Sequence, residues 1–189
     1  ILVTHHAMST AAGNVLLPGA VVTWAKRPPG QEMPQEVFDW NEEYARWHNY
    51  TYVRDATQRL SPPFTVHYEK FTLVQEVLKT HRLVLLLDDD AFVARRGVRL
   101  EDFTKIFHPR IDVILGDSHT TNECTGWYKG ARYCPNTGVM IFVHTNRTFA
   151  LLDKMVGSPE TCKPYMQPKC CWEQDCFRVD LYWKVTKQK

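Results

Sequence analysis

A chain of 189 residues is long enough to bury one substantial core and too short for two large domains. Its ordinary apolar and aromatic content excludes a disordered tail, and a formal net charge of +2 gives no strong pull toward nucleic acid or an anionic membrane. No uninterrupted apolar stretch is long enough to span a bilayer.

Ile1-Leu2-Val3-Thr4 reads as a first strand rather than a signal peptide. The chain is therefore expected to be a single domain over 1–189, either a mature form or a piece of something longer. Residues 10 to 30 suggest a helix interrupted at Pro18-Gly19 and ended by Pro28-Pro29-Gly30. From Pro34 a second helix is predicted, with Val37, Trp40, Tyr44 and Trp47 on one face. Tyr50 to Val53 is a short β-favouring run. Ser61-Pro62-Pro63 introduces another helix, striped by Phe71, Val74 and Leu78. Leu83 to Leu87, five aliphatic residues in succession, reads as a central parallel strand buried on both faces. Ile111 to Leu115 and Val139 to Val143 are two more strands, and Phe149, Leu152 and Met155 mark a following helix. Strands alternating with helices predict an α/β fold, a mostly parallel central sheet flanked by helices.

All six cysteines fall late in the chain, from Cys124 on, an even number in a loop-rich stretch. Three disulfides are expected to stabilise this C-terminal third, with Cys124 to Cys134 the first pair to draw. A zinc site is the rival reading, but no C-x-x-C pair is present. Asn49-Tyr50-Thr51 and Asn146-Arg147-Thr148 are glycosylation sequons. Together these features predict the secretory pathway, in the Golgi or ER lumen.

The buried run ends on Asp88-Asp89-Asp90. Three adjacent carboxylates repel one another, which ordinarily means a solvated loop. Their position argues otherwise, because open α/β sheets bind ligands beyond the carboxyl ends of their strands. On extended backbone Asp88 and Asp90 point the same way while Asp89 points elsewhere. Two convergent carboxylates suit a hard cation, Mn²⁺ or Mg²⁺, with coordination positions left for phosphate oxygens. Elsewhere, Gly138 in Asn136-Thr137-Gly138 has no side chain and lets a ligand approach the backbone closely, or else marks a bulge. Trp127 and Tyr128, between Cys124 and Cys134, offer aromatic faces on which a ring-shaped ligand could stack, or simply pack beneath a pinned loop.

The segment His81 to Val93, with Leu83-Val84-Leu85-Leu86-Leu87-Asp88-Asp89-Asp90 at its centre, resembles the DxD segment of metal-dependent GT-A glycosyltransferases. The similarity is greatest to the galactosyl- and mannosyltransferases of fungi and the xyloglucan xylosyltransferases of plants. Three further blocks match in order: Tyr68-Glu69-Lys70-Phe71, then Asn136 to Phe142 with Leu151-Leu152-Asp153, then Glu173-Gln174-Asp175. The resemblance implies a GT-A-like (Rossmann-like) domain using a UDP- or GDP-sugar and a glycan or glycoprotein acceptor, with retention of anomeric configuration. It implies Asp88 and Asp90 as metal ligands and Asp89 on the nucleotide side. Thr4, His5 and His6 are implied near base and ribose, and Lys70 near a phosphate or an acidic side chain of the site. Glu173, Gln174 and Asp175 are implied at the donor's anomeric carbon, and Asn136, Thr137 and Gly138 at the sugar. The family's third metal ligand is a histidine in an H-F-x-G-like segment. None follows Asp175 here, and His119 and His144 stand in no matching context. A noncatalytic nucleotide-, sugar- or protein-binding module is the competing expectation. A nucleotidyltransferase is disfavoured, because Thr4-His5-His6-Ala7-Met8 is not a glycine-rich phosphate loop.

Overall fold

A computed structural model describes residues 15–62, 64–106, 111–117 and 135–157, together with Glu173, Cys176 and Phe177. The expected strand Ile1–Thr4 and the Cys124–Cys134 loop lie outside the described residues.

The first described strand, β1 (Ala20–Trp24), occupies part of the stretch where an interrupted helix was expected. Its β-branched Val21, Val22 and Thr23 favour the pleat, and the sheet buries them from both sides. Helix α1 (Gln35–Trp47) starts after Pro34, as expected. The face it buries is Phe38, Asn41, Tyr44 and Ala45, a rotation from the expected one. Trp40 and Trp47 remain 38% and 66% exposed, because the sheet edge meets the helix on the Tyr44 side. Strand β2 (Thr51–Asp55) follows, then a 3₁₀ turn (Val66–Tyr68) that runs into α2 (Glu69–Leu78). The predicted stripe of Phe71, Val74 and Leu78 is fully buried. Strand β3 (Leu83–Leu87) is buried at every position. Next come α3 (Leu100–Ile106), which the sequence reading lacked, β4 (Val113–Asp117) and β5 (Pro135–Val143). Helix α4 (Asn146–Leu152) is capped by the Thr145 side chain, which accepts from the Thr148 amide, and continues as a π turn over Asp153–Gly157.

The sheet order is β2-β1-β3-β5-β4. β1 pairs in parallel with both β2 and β3, whereas β5 runs antiparallel to β3 and β4. Four of the five strands among the described residues thus point one way, a mixed and mostly parallel sheet.

Alternate residues feed two cores, as a two-residue period requires. Ala20, Val22, Val84, Leu86, Met140 and Phe142 pack with α2 and with Leu152, Met155, Cys176 and Phe177. Val21, Leu83, Leu85, Leu87 and Ile141 pack on the other face with Tyr44, Ala45, Tyr50 and Leu100. Cys176 is buried and disulfide-bonded; the other five cysteines lie outside the described residues.

Candidate functional site

The parallel strands β1 and β3 deliver their carboxyl ends to one edge of the sheet, the place where open α/β sheets bind ligands. A cavity of about 470 Å³ opens there. Its walls come from the exit of β1 (Trp24, Lys26, Arg27), from the turn and start of α2 (His67, Lys70), from Asp88, Asp89 and Asp90, and from Glu173.

Lys70 lies at the centre of the polar wall. Its ammonium is 2.9 Å from Asp88 Oδ1 and 2.9 Å from Glu173 Oε1, and Thr137 Oγ1 donates to the same Glu173 oxygen at 3.2 Å. Burial drives the Lys70 ammonium toward neutrality, but Glu173 and Asp88 outweigh it and hold the pKa above its ordinary value. Lys70 is therefore a buried cation shared by two carboxylates. Asp88 keeps 40% of its side-chain area open to the cavity, yet the protein walling it pushes its carboxyl up. Lys70 only partly offsets that push, and Glu173 and Asp90 add to it.

Gly138 sets the position of Asp88. The Asp88 amide donates to the Gly138 carbonyl at 2.7 Å, and a Cβ at residue 138 would lie 2.7 Å from Asp88 Oδ2. The close neighbour that this glycine admits is thus the Asp88 carboxylate. Asn136 is turned onto its own strand, its Oδ1 accepting from the Gly138 amide at 2.7 Å. The β4–β5 register shifts beside this stretch, between Leu115 and Gly116, an irregularity of the kind that re-aims side chains at sites.

Asp89 does not point away from the site. It lines the same cavity and takes a bidentate ion pair from Arg27, Nε to Oδ2 at 2.5 Å and Nη2 to Oδ1 at 2.6 Å. The acidic triplet turns tightly, with the Ala91 amide donating to Asp88 O at 3.0 Å, so strict extended alternation ends at Asp88. Asp90 is the most exposed of the three, at 62% of its side chain, and Arg27 Nη2 stands 3.7 Å away.

The structure therefore brings together Asp88, Asp89, Asp90, Lys70, Thr137, Gly138 and Glu173 from the expected set. Thr4, His5, His6, Trp127, Tyr128, Gln174 and Asp175 lie outside the described residues. The sequence reading missed Trp24, Lys26 and Arg27. A Val-Val-Thr-Trp run followed by a basic pair and Pro-Pro-Gly could have marked a strand entering a site. Among the described residues, no group of three His, Cys, Asp or Glu side chains forms a metal-ligand cluster. A second, larger cavity of about 610 Å³ lies on the opposite face of the sheet, and its walls are almost wholly apolar.

The described residues thus form a mixed α/β sheet with an acidic triplet beside a cavity at its carboxyl edge, and the fold is glycosyltransferase-like. The particular likeness is to a solved structure described as "crystal structure of a glycosyltransferase involved in the glycosylation of the major capsid of PBCV-1". The two superpose with a TM-score of 0.64 over 89% of this chain and 78% of that chain, at 15% identity. No protein-family model and no curated protein matches the sequence. At that identity the likeness establishes the fold, and the chemistry must be argued from the cavity.

Proposed function

We propose that the chain is a glycosyltransferase domain that binds a nucleotide-diphosphate sugar in the cavity at the carboxyl edge of the sheet. The observation that carries this is the meeting, in one cavity, of the acidic triplet with a buried Lys70 shared between Asp88 and Glu173.

Asp88 and Asp90 are the residues that would hold Mn²⁺ or Mg²⁺. Their hard oxygens suit such an ion, and the upward push on Asp88 from burial and neighbouring carboxylates is what an added cation relieves. When bound, the cation supplies positive charge to the donor diphosphate as it departs. Lys70 orients both Asp88 and Glu173 and keeps them from repelling each other. Glu173, held by Lys70 and Thr137 on the cavity wall, is assigned to the donor's anomeric carbon, where a carboxylate stabilises developing cationic character. Arg27 and Asp89 form the wall on the nucleotide side. Retention of configuration, Gln174 and Asp175 beside Glu173, Thr4, His5 and His6 near the nucleotide, and Trp127 and Tyr128 toward a glycan or glycoprotein acceptor complete the proposal. A Golgi or ER-luminal address is supported by the disulfide at Cys176 and by the exposure of Asn49 and Asn146 in their sequons.

Calorimetric titration with UDP and GDP, in Mn²⁺ and then in EDTA, tests the site. Binding is expected in Mn²⁺ and is expected to vanish in EDTA and in the Asp88→Ala/Asp90→Ala variant. No binding by the wild type in any metal condition would remove the donor-site assignment. A noncatalytic binding module is the second reading. The ion pairs already satisfying Asp88 and Asp89 favour it. Nucleotide binding without turnover of any UDP- or GDP-sugar would select it.

A further inference from the structure

Helix α1 buries one polar side chain, Asn41, on a face otherwise made of Phe38, Tyr44 and Ala45. A buried amide is costly unless its hydrogen bonds are met. Here both ends are met by one short stretch of backbone beyond the acidic triplet. Asn41 Nδ2 donates to Ala91 O at 2.9 Å, and Asn41 Oδ1 accepts from the Val93 amide at 3.1 Å. Ala91 is also the residue whose amide closes the turn onto Asp88 O at 3.0 Å. Asp90 thus sits between two fixed points, the end of β3 and the Asn41 side chain.

The same helix continues along the segment. Trp40 Nε1 donates to Val93 O at 2.7 Å, His48 Nε2 to Arg96 O at 2.5 Å, and Tyr44 Oη to Val98 O at 2.8 Å. Arg96 returns the contact, stacking 3.6 Å over the Trp40 ring and pairing with Glu43 at 2.6 Å. Residues 91–98 form no helix or strand, so side chains must satisfy much of their backbone. Of these bonds, only Asn41's reach the residue next to Asp90.

We infer that Asn41 is a positioning residue, holding residues 91–93 so that the Asp90 carboxylate is presented at the mouth of the cavity. The functional consequence rests on the proposed donor site; the clamp itself does not.

The test compares Asn41→Leu, which keeps the branched heavy-atom shape and removes both bonds, with Tyr44→Phe, which frees only the distant Val98 carbonyl. Backbone amide exchange over residues 83–98 and Mn²⁺·UDP affinity are read for each. Asn41→Leu is expected to speed exchange at Val93 at least about tenfold, leave β3 unchanged, and weaken Mn²⁺·UDP about tenfold or more. Tyr44→Phe is expected to leave affinity within about twofold. Wild-type exchange at Val93 in Asn41→Leu, or equal affinity losses in the two variants, overturns the inference. If wild type binds no Mn²⁺·UDP, the donor-site reading falls and exchange alone decides the clamp. If Asn41→Leu does not fold, Asn41→Ala, which also removes both bonds without forcing a larger apolar group against two polar backbone atoms, is read in its place by the same measures.

Discussion

At Gly138 an added Cβ would meet Asp88 Oδ2 at 2.7 Å and Asn136 Oδ1 at 3.0 Å. Asp88 cannot simply swing aside, because its other oxygen is bonded to Lys70. Gly138→Ala is therefore expected to cost about 1–3 kcal/mol in urea unfolding. It should also weaken Mn²⁺·UDP binding at least about tenfold by calorimetry. Wild-type affinity in that variant would mean the position of Asp88 is unimportant. His81 makes a pH prediction. It is buried, with Nε2 facing Thr51 Oγ1 at 2.8 Å and Nδ1 facing Val77 O at 3.0 Å. Burial lowers its pKa, and the Val77 carbonyl only partly opposes that. A histidine with a depressed folded pKa contributes stability that is present above its unfolded pKa and lost as pH falls through the folded one. Melting temperature should thus decline from about pH 6.5 downward, and His81→Gln should flatten that part of the profile. An unchanged slope in His81→Gln would assign the decline to other groups.

Among elements, α2 serves core and site at once. Phe71 and Lys70 are adjacent, one in the core under the sheet and the other bridging two carboxylates. Phe71→Ala is expected to cost about 3–5 kcal/mol by denaturant unfolding. At a temperature where the variant stays folded, Mn²⁺·UDP affinity should change little, since α2 keeps its end contacts. Loss of affinity in a folded Phe71→Ala would show that core packing sets Lys70's position. Legibility also divides by element. β3 was readable because five aliphatics before three aspartates have few other interpretations. α2 was readable by its stripe, although it begins at Glu69 rather than soon after Pro63, because a 3₁₀ turn intervenes. The buried face of α1 was not readable. Trp40 and Trp47 outweigh Asn41 in apolarity, yet the helix turns Asn41 inward, where residues 91–93 supply its partners.

For the molecule as a whole, the site is assembled from segments far apart in sequence: 24–27, 67–70, 88–90 and Glu173. A ligand bridging such segments stabilises the folded state by mass action, about 2.7 kcal/mol at one hundred times Kd. For a chain of this size that corresponds to a rise of about 5–10 °C in melting temperature. The rise is expected with Mn²⁺ and UDP together and should be absent in EDTA and in Asp88→Ala/Asp90→Ala. A shift that survives in the double variant would place the nucleotide somewhere other than this cavity.

The α/β class, the central strand and the acidic triplet at its carboxyl end are legible in the chain alone, whereas the blocks containing Lys70, Gly138 and Glu173 stand out only through the family resemblance. The first three are local signals, carried by runs of residue type and by spacing. Folding adds the pairing of Asp89 with Arg27, the room that Gly138 makes for Asp88, and the place of Lys70 between Asp88 and Glu173. Those are pairings across 62, 50, 18 and 103 residues. No local pattern encodes them, because each depends on which strand ends the sheet order brings together and on what the buried groups must neutralise there.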